Sequence, residues 1–396
     1  MSTGCSKICQ ANRMKNAPLS KVREIIARAN KMEQAGRSII HLEIGEPDFD
    51  TPQHIIDACK QALDRKEVHY GPIPGTMELR KAIAEHSKRY GLDYKPEEVL
   101  VSTGVAHAVM LCMLAYLDPG DEILIPDPGY LIYEADANIA QAKPVPYPLR
   151  EDKGFQLDVP MLEALITPRT KAILIASPGN PSGSILNEDS LKAVAEVAIK
   201  HNLLVISDEI YSDIVYDGNL PPSIGALPGM RERTMVLNGF SKYYAMTGWR
   251  IGYIMCPVEL MDPIMRLSFY NIACPTTFIQ SAAALALSSD ETPSKKMVDE
   301  YRRRRDFMVD ALNAMPGCRC RKPDGAFYIF VNIAGTGYDA ETLCNRLLEE
   351  TGVTTTPGKV FGAEGKDFIR ISYANSMENL QEAARRMHSW LEANKK

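Results

Sequence analysis

No run of about twenty apolar residues occurs, the length a helix needs to cross a bilayer, and the opening MSTGCSKICQANRMKNAP lacks a continuous apolar core of signal-peptide length. A cytoplasmic protein, neither exported nor membrane-spanning, is the expectation. Charge of one sign is also scarce, since 45 Lys and Arg against 50 Asp and Glu leave a formal −5. Without a basic excess, nucleic acid and anionic membrane are excluded as the main partner. The nine cysteines are odd in number and follow neither disulfide nor zinc spacing. Cys318 and Cys320 stand too close for the usual knuckle, and no cysteine pair has a histidine at ligand spacing. Reduced thiols and no metal site are expected. The one local charge excess, Arg302 to Arg305, sits in MVDEYRRRRDFMVDALNAM, where Met297, Tyr301, Met308 and Leu312 share a helical face. Most of those arginines should therefore meet water.

What is present is a chain of 396 residues, 45% apolar, longer than one core usually grows, so two domains are expected. From Glu122 onward short apolar runs alternate with helical stretches: EILIPDP, KAILIAS, a helix near Glu188 to Lys200, LLVISDE, TMVLNGF and IGYIMC. Such alternation predicts an α/β fold with a mostly parallel, doubly wound sheet. Ligands of these sheets sit beyond the carboxyl ends of the strands, where Asn180, Asp208 and Lys242 would fall. Towards the C-terminus a long helix, AFYIFVNI, a helix around Ala340 to Glu350, DFIRISYA and a final helix suggest a smaller α+β domain.

The segment NGFSKYYAMTGWRIGY sets Lys242 after an apolar run and Arg250 one short loop later. A lysine amine can condense with a phosphorylated aldehyde, and a guanidinium can grip its phosphate. At the end of LLVISDE a carboxylate, Asp208, emerges from an apolar strand, with the Tyr211 phenol three positions on. Ser102 to Ala106 precede a helix whose Val109, Met110, Met113, Leu114 and Leu117 form an apolar stripe, and free amides at a helix start favour phosphate. Each feature alone has a plainer reading: a surface lysine, an N-cap at Asp208, Ser102 or Thr103, a turn residue at Asn180 or Tyr70, core filler at Tyr130, an exposed strand arginine at Arg370.

Taken together, GFSKYYAMTGWRIGY, SPGNPSG, RISYA, GEPDFDTP, PDGAFYIF and TTPGKVFG resemble the fold-type I, class I/II aminotransferases, with coverage from about Leu19 to Met387. The resemblance implies pyridoxal 5'-phosphate (PLP) as cofactor, held as a Schiff base on Lys242, which also acts as the catalytic base. Asp208 would keep the pyridine nitrogen protonated, Asn180 and Tyr211 would reach the 3'-oxygen, and Tyr130 would stack on the ring. The amides of Gly104, Val105 and Ala106, with Ser241 and Arg250, would surround the phosphate. Tyr70 would reach the phosphate of the neighbouring subunit, making a homodimer. Arg370, Asn180 and the backbone of Gly45 would take the substrate carboxylate. The family also starts its chain in the small domain, implying residues 1–45 and 291–396 there and 46–290 in the large one.

Two departures matter. Gly239 replaces a serine that often helps hold phosphate, and Ala106 stands where aspartate-using relatives commonly carry a lysine. The expected activity is amino transfer from an L-amino acid to a 2-oxo acid, with neutral side chains favoured over aspartate. The alternatives are a PLP-dependent carbon-sulfur lyase on the same scaffold, and a non-catalytic sensor, which would need a DNA-binding module that the short segment before Gly45 cannot house.

Overall fold

The computed structural model describes residues 10–17, 21–218 and 222–395; Cys5, Cys9 and Leu19, used in the reading above, lie outside them. Among the described residues, seven strands form one sheet in the spatial order Val99–Ser102, Gly252–Met255, Thr234–Gly239, Leu204–Asp208, Thr170–Ala176, Glu122–Asp127, Lys143–Pro148. All neighbours pair in parallel except Gly252–Met255, which runs against both of its neighbours. Glu122–Asp127 is buried along its whole length, as are Val99–Ser102 and Gly252–Met255. Helices cover both faces of such a sheet, so its strands read as continuous apolar runs rather than as alternation.

The helix Glu188–Lys200 falls where the sequence placed it. The Asn187 side chain caps it by accepting from Ser190 N at 2.8 Å, and Leu191, Val194, Val197 and Ala198 are buried. The edge strand Lys143–Pro148, KPVPYP, was not foreseen, because proline argues against a strand interior. Its prolines fall at alternate positions, and an edge strand needs only one side's N–H groups, so the missing donors cost the sheet nothing. The apolar stripe predicted after Ser102 is only half correct. Val109 and Met113 are buried, but Leu114 is 42% exposed and Leu117 lies just past the end of helix Val105–Tyr116 in extended backbone. That helix is apolar nearly all round, so spacing alone did not single out its inner face.

A second, antiparallel sheet is ordered Thr356–Pro357, Phe368–Ser372, Tyr328–Asn332, Arg319–Cys320. Ile40–His41 pairs in parallel with Val353–Thr354, which ties the start of the chain to its end. The helix Lys21–Gln34 is fastened to the same region: Arg28 donates to Asn345 Oδ1 at 2.8 Å and pairs with Glu349, and Glu33 lies 3.3 Å from His41 Nε2. Among the described residues no helix is long and apolar enough to cross a membrane.

The expectation that Arg302 to Arg305 mostly meet water is overturned. Met297, Tyr301, Met308 and Leu312 are buried as predicted, but Arg304 and Arg305 are 6% and 0% exposed. Helix Thr292–Asn313 packs on more than one side. Arg304 forks onto Asp48 with two 2.8 Å bonds, while Arg305 pairs with Asp217 at 2.7 Å, donates to Pro323 O at 3.0 Å and lies 4.5 Å from the Tyr216 ring centroid. Arg302 donates to Tyr216 O, leaving Arg303 as the exposed member. Because Asp217 is itself about half exposed, Arg305→Ala is expected to cost about 2 kcal/mol, below the usual range for breaking a buried pair. Denaturant unfolding measures it, and an unchanged midpoint would contradict it.

Candidate active site

The parallel strands share a carboxyl edge, and the predicted residues gather there. Strand Leu204–Asp208 delivers the Asp208 carboxylate, 4% exposed, to that edge. Its Oδ2 accepts from the Tyr133 hydroxyl at 2.7 Å and its Oδ1 from Ile210 N at 3.2 Å, and it makes no ion pair among the described residues. Burial raises its pKa, against the opposing pull of the two hydrogen bonds and of Lys242. A carboxylate so placed favours a cationic partner over remaining a buried anion.

Lys242 follows strand Thr234–Gly239. Its Nζ donates to Gly45 O at 2.7 Å and lies 5.8 Å from the ring centroids of both Tyr211 and Phe327. Burial pushes its pKa down to about 8, with Glu46 opposing and the Arg370 and Arg250 charges assisting. The amine is therefore readily neutral, and nucleophilic, near physiological pH.

Three glycines bring the surrounding loops into backbone contact. A Cβ on Gly239 would stand 2.9 Å from Gly252 Cα, and one on Gly252 would stand 3.0 Å from Gly104 Cα. The serine absent at position 239 is thus excluded by packing in this chain, and buried Ser241 is the nearby hydroxyl. Gly104, at φ 101°, precedes helix Val105–Tyr116, whose first turn receives no side-chain cap. Ser102 Oγ donates to Gly104 O instead of capping, which removes the plainer reading of Ser102. Over this uncapped helix start lies Arg250, itself at φ 55°, donating to Thr247 O at 2.8 Å and Thr103 O at 3.2 Å. A Cβ on Gly104 would meet its Nη2 at 2.7 Å.

Arg370, on strand Phe368–Ser372, is 4% exposed, not the solvent-facing arginine that alternation alone allowed. The strand is covered on both faces. Nη1 donates to Asn180 Oδ1 at 3.1 Å and Nη2 to Glu43 O at 2.5 Å, while Nε is buried without a partner among the described residues. The guanidinium lies 4.5 Å from the Tyr328 ring centroid. The Tyr328 hydroxyl is 2.8 Å from that of Tyr211.

One cavity of about 420 Å³ is lined by Gly45, Val105, Ala106, Tyr130, Asn180, Asp208, Tyr211, Ser241, Lys242, Arg250 and Arg370. Of the predicted residues, Gly104 lies beneath Arg250 outside that lining, and Tyr70, 89% exposed, sits apart beside Cys274 and Pro275. Tyr133, Tyr328, Glu43 and the helix residues Val22, Arg23 and Ile26 also line the cavity, and the sequence reading assigned them no role. Tyr328 falls inside PDGAFYIF and Tyr133 stands three positions after Tyr130, so those segments were the available signal.

Residues 37–387 match the model of the family "Aminotransferase class I and II". The chain is 40% identical to aromatic-amino-acid aminotransferase 2 of Thermococcus litoralis over 97% of this chain and 99% of that one. It is 43% identical to an aspartate aminotransferase of Pyrococcus abyssi over 91% and 93%. The solved alanine aminotransferase from Pyrococcus furiosus superposes with TM-score 0.93 at 34% identity, covering 97% of this chain and 100% of that one. The chain belongs to the class I and II aminotransferases and is a transaminase dependent on pyridoxal 5'-phosphate. The cavity suits that group: a buried carboxylate without a cation, a lysine with a lowered pKa, and an uncapped helix start under a guanidinium.

Proposed function

We propose that Lys242 Nζ attaches the cofactor covalently, with Asp208 against the ring nitrogen, Asn180 and Tyr211 at the 3'-oxygen and Tyr130 over the ring face. The amides of Gly104, Val105 and Ala106, with Ser241 and Arg250, take the phosphate. When bound, the cofactor supplies an electron-accepting ring. Everything else is done by side chains. Arg370, with Asn180 and the Gly45 backbone, orients the substrate carboxylate, its guanidinium already lining the cavity. Lys242 Nζ is the base that takes the proton from the substrate α-carbon. The rings of Tyr211 and Phe327, each 5.8 Å from Nζ, keep water from the amine.

The observation that carries this reading is a lysine amine of pKa about 8, held 2.7 Å from Gly45 O in the same cavity as Asp208 and Arg370. Because the neutral amine is the reactive form, cofactor capture by the free protein should speed up as pH rises through about 8 and level off above it. Stopped-flow absorbance follows this; a rate flat from pH 6 to 10 would remove Lys242 as the attachment point.

The donor carries a neutral side chain in preference to aspartate, because Ala106 lines the cavity and cannot pair with a distal carboxylate. A panel of amino acids scored by half-reaction spectra tests this, and saturation by aspartate with negligible turnover of neutral amino acids would reverse it. The working unit is a cytoplasmic homodimer with Tyr70 reaching the neighbouring subunit's phosphate. Exposed Val68, Tyr70, Phe269 and Tyr270 support such a contact. Residues 1–45 and 291–396 form the small domain and 46–290 the large one, consistent with the pairing of Ile40–His41 to Val353–Thr354.

A further inference from the structure

A transaminase admits two substrates in turn to one pocket, so whatever reads the side chain must accept both. Among the described residues, the cations lining the cavity are Arg23, Lys242, Arg250 and Arg370. The last three serve the cofactor and the substrate α-carboxylate in the proposed site. Arg23 is the one left over: exposed, carried by helix Lys21–Gln34, with no hydrogen bond or ion pair among the described residues. The same helix turns Val22 and Ile26, one turn apart on one face, towards the cavity, where Leu131 and Ile132 also lie. Arg28 ties this helix to Asn345 and Glu349, so its backbone is held in place while the Arg23 side chain keeps its freedom.

We propose that Arg23 is a specificity-determining residue that takes the distal carboxylate of a dicarboxylic substrate, an acidic amino acid or its 2-oxo acid, while Val22 and Ile26 accept an uncharged side chain. This rests on Arg370 taking the α-carboxylate. A guanidinium on a long exposed stem remains solvated when a neutral side chain fills the pocket, and swings inward to a forked, charge-assisted pair when a carboxylate arrives. Ala106 leaves that task vacant on the sheet side, so a neutral donor and an acidic acceptor can share the site.

Titrating the holoenzyme with glutarate and with 3-phenylpropanoate, unreactive acids with and without a distal charge, measures the discrimination directly. In Arg23→Met the affinity ratio of glutarate to 3-phenylpropanoate is expected to fall at least tenfold. The ratio of kcat/KM for acidic against neutral amino acids should fall with it. The residue is exposed and unpaired, so the variant should fold like the wild type, as circular dichroism would show. A smaller change in the affinity ratio overturns the assignment. Wild-type protein that transaminates no amino acid would instead refute the transaminase site on which this inference depends; intact transamination with an unmoved ratio refutes Arg23 alone.

Discussion

Lys242→Ala should bind the cofactor without a covalent bond and lose transamination by about 10,000-fold, the upper end of what a positioned base contributes. The reason lies in where the amine sits. Burial lowers its pKa to about 8, and the bond to Gly45 O at 2.7 Å aims it into the cavity between Asp208 and Arg370. Among the described residues no second lysine lines that cavity. Borohydride treatment of the wild type should label the peptide containing Lys242 and leave the variant unlabelled. Ordinary turnover in the variant, or a label on another peptide, would end the proposed role.

Arg370→Ala should weaken substrate binding by about 2 to 5 kcal/mol, roughly 30- to 5,000-fold, as expected when one partner of a buried charge pair is truncated. Two of its nitrogens already hold Asn180 and the Glu43 carbonyl, and Tyr328 supports its face. Its Nε is buried and has no partner among the described residues. The loss should show in KM and in the affinity for unreactive carboxylates, while covalent cofactor attachment persists. Unchanged affinity would return Arg370 to a purely structural part.

The large sheet was legible because burial on both faces turns its strands into apolar runs, and the helix Glu188–Lys200 because its cap and its stripe agree. The edge strand Lys143–Pro148 was hidden by its prolines, whose tolerance depends on having no neighbour on one side. Arg304 and Arg305 looked like a solvated face, since a local pattern does not show that Asp48 and Asp217 arrive from distant parts of the chain. Gly239 stood where a serine often helps hold phosphate, a contact either missing or supplied by Ser241; the backbone of Gly252, 2.9 Å from where a Cβ would stand, explains the glycine.

From the residues alone came the alternation that builds a parallel sheet, the strand ends that carry Asp208 and Lys242, and the motif set of a PLP-dependent transaminase. The first two follow from local chemistry and spacing, the third from resemblance to the family. The tertiary structure alone decided the lowered pKa of Lys242, the pairing of Tyr133 with Asp208 and of Tyr328 with Tyr211, the buried Nε of Arg370 and the place of Arg23 at the cavity lining. Each of these depends on what surrounds a group in space, and desolvation and contact between residues far apart in sequence leave no local trace.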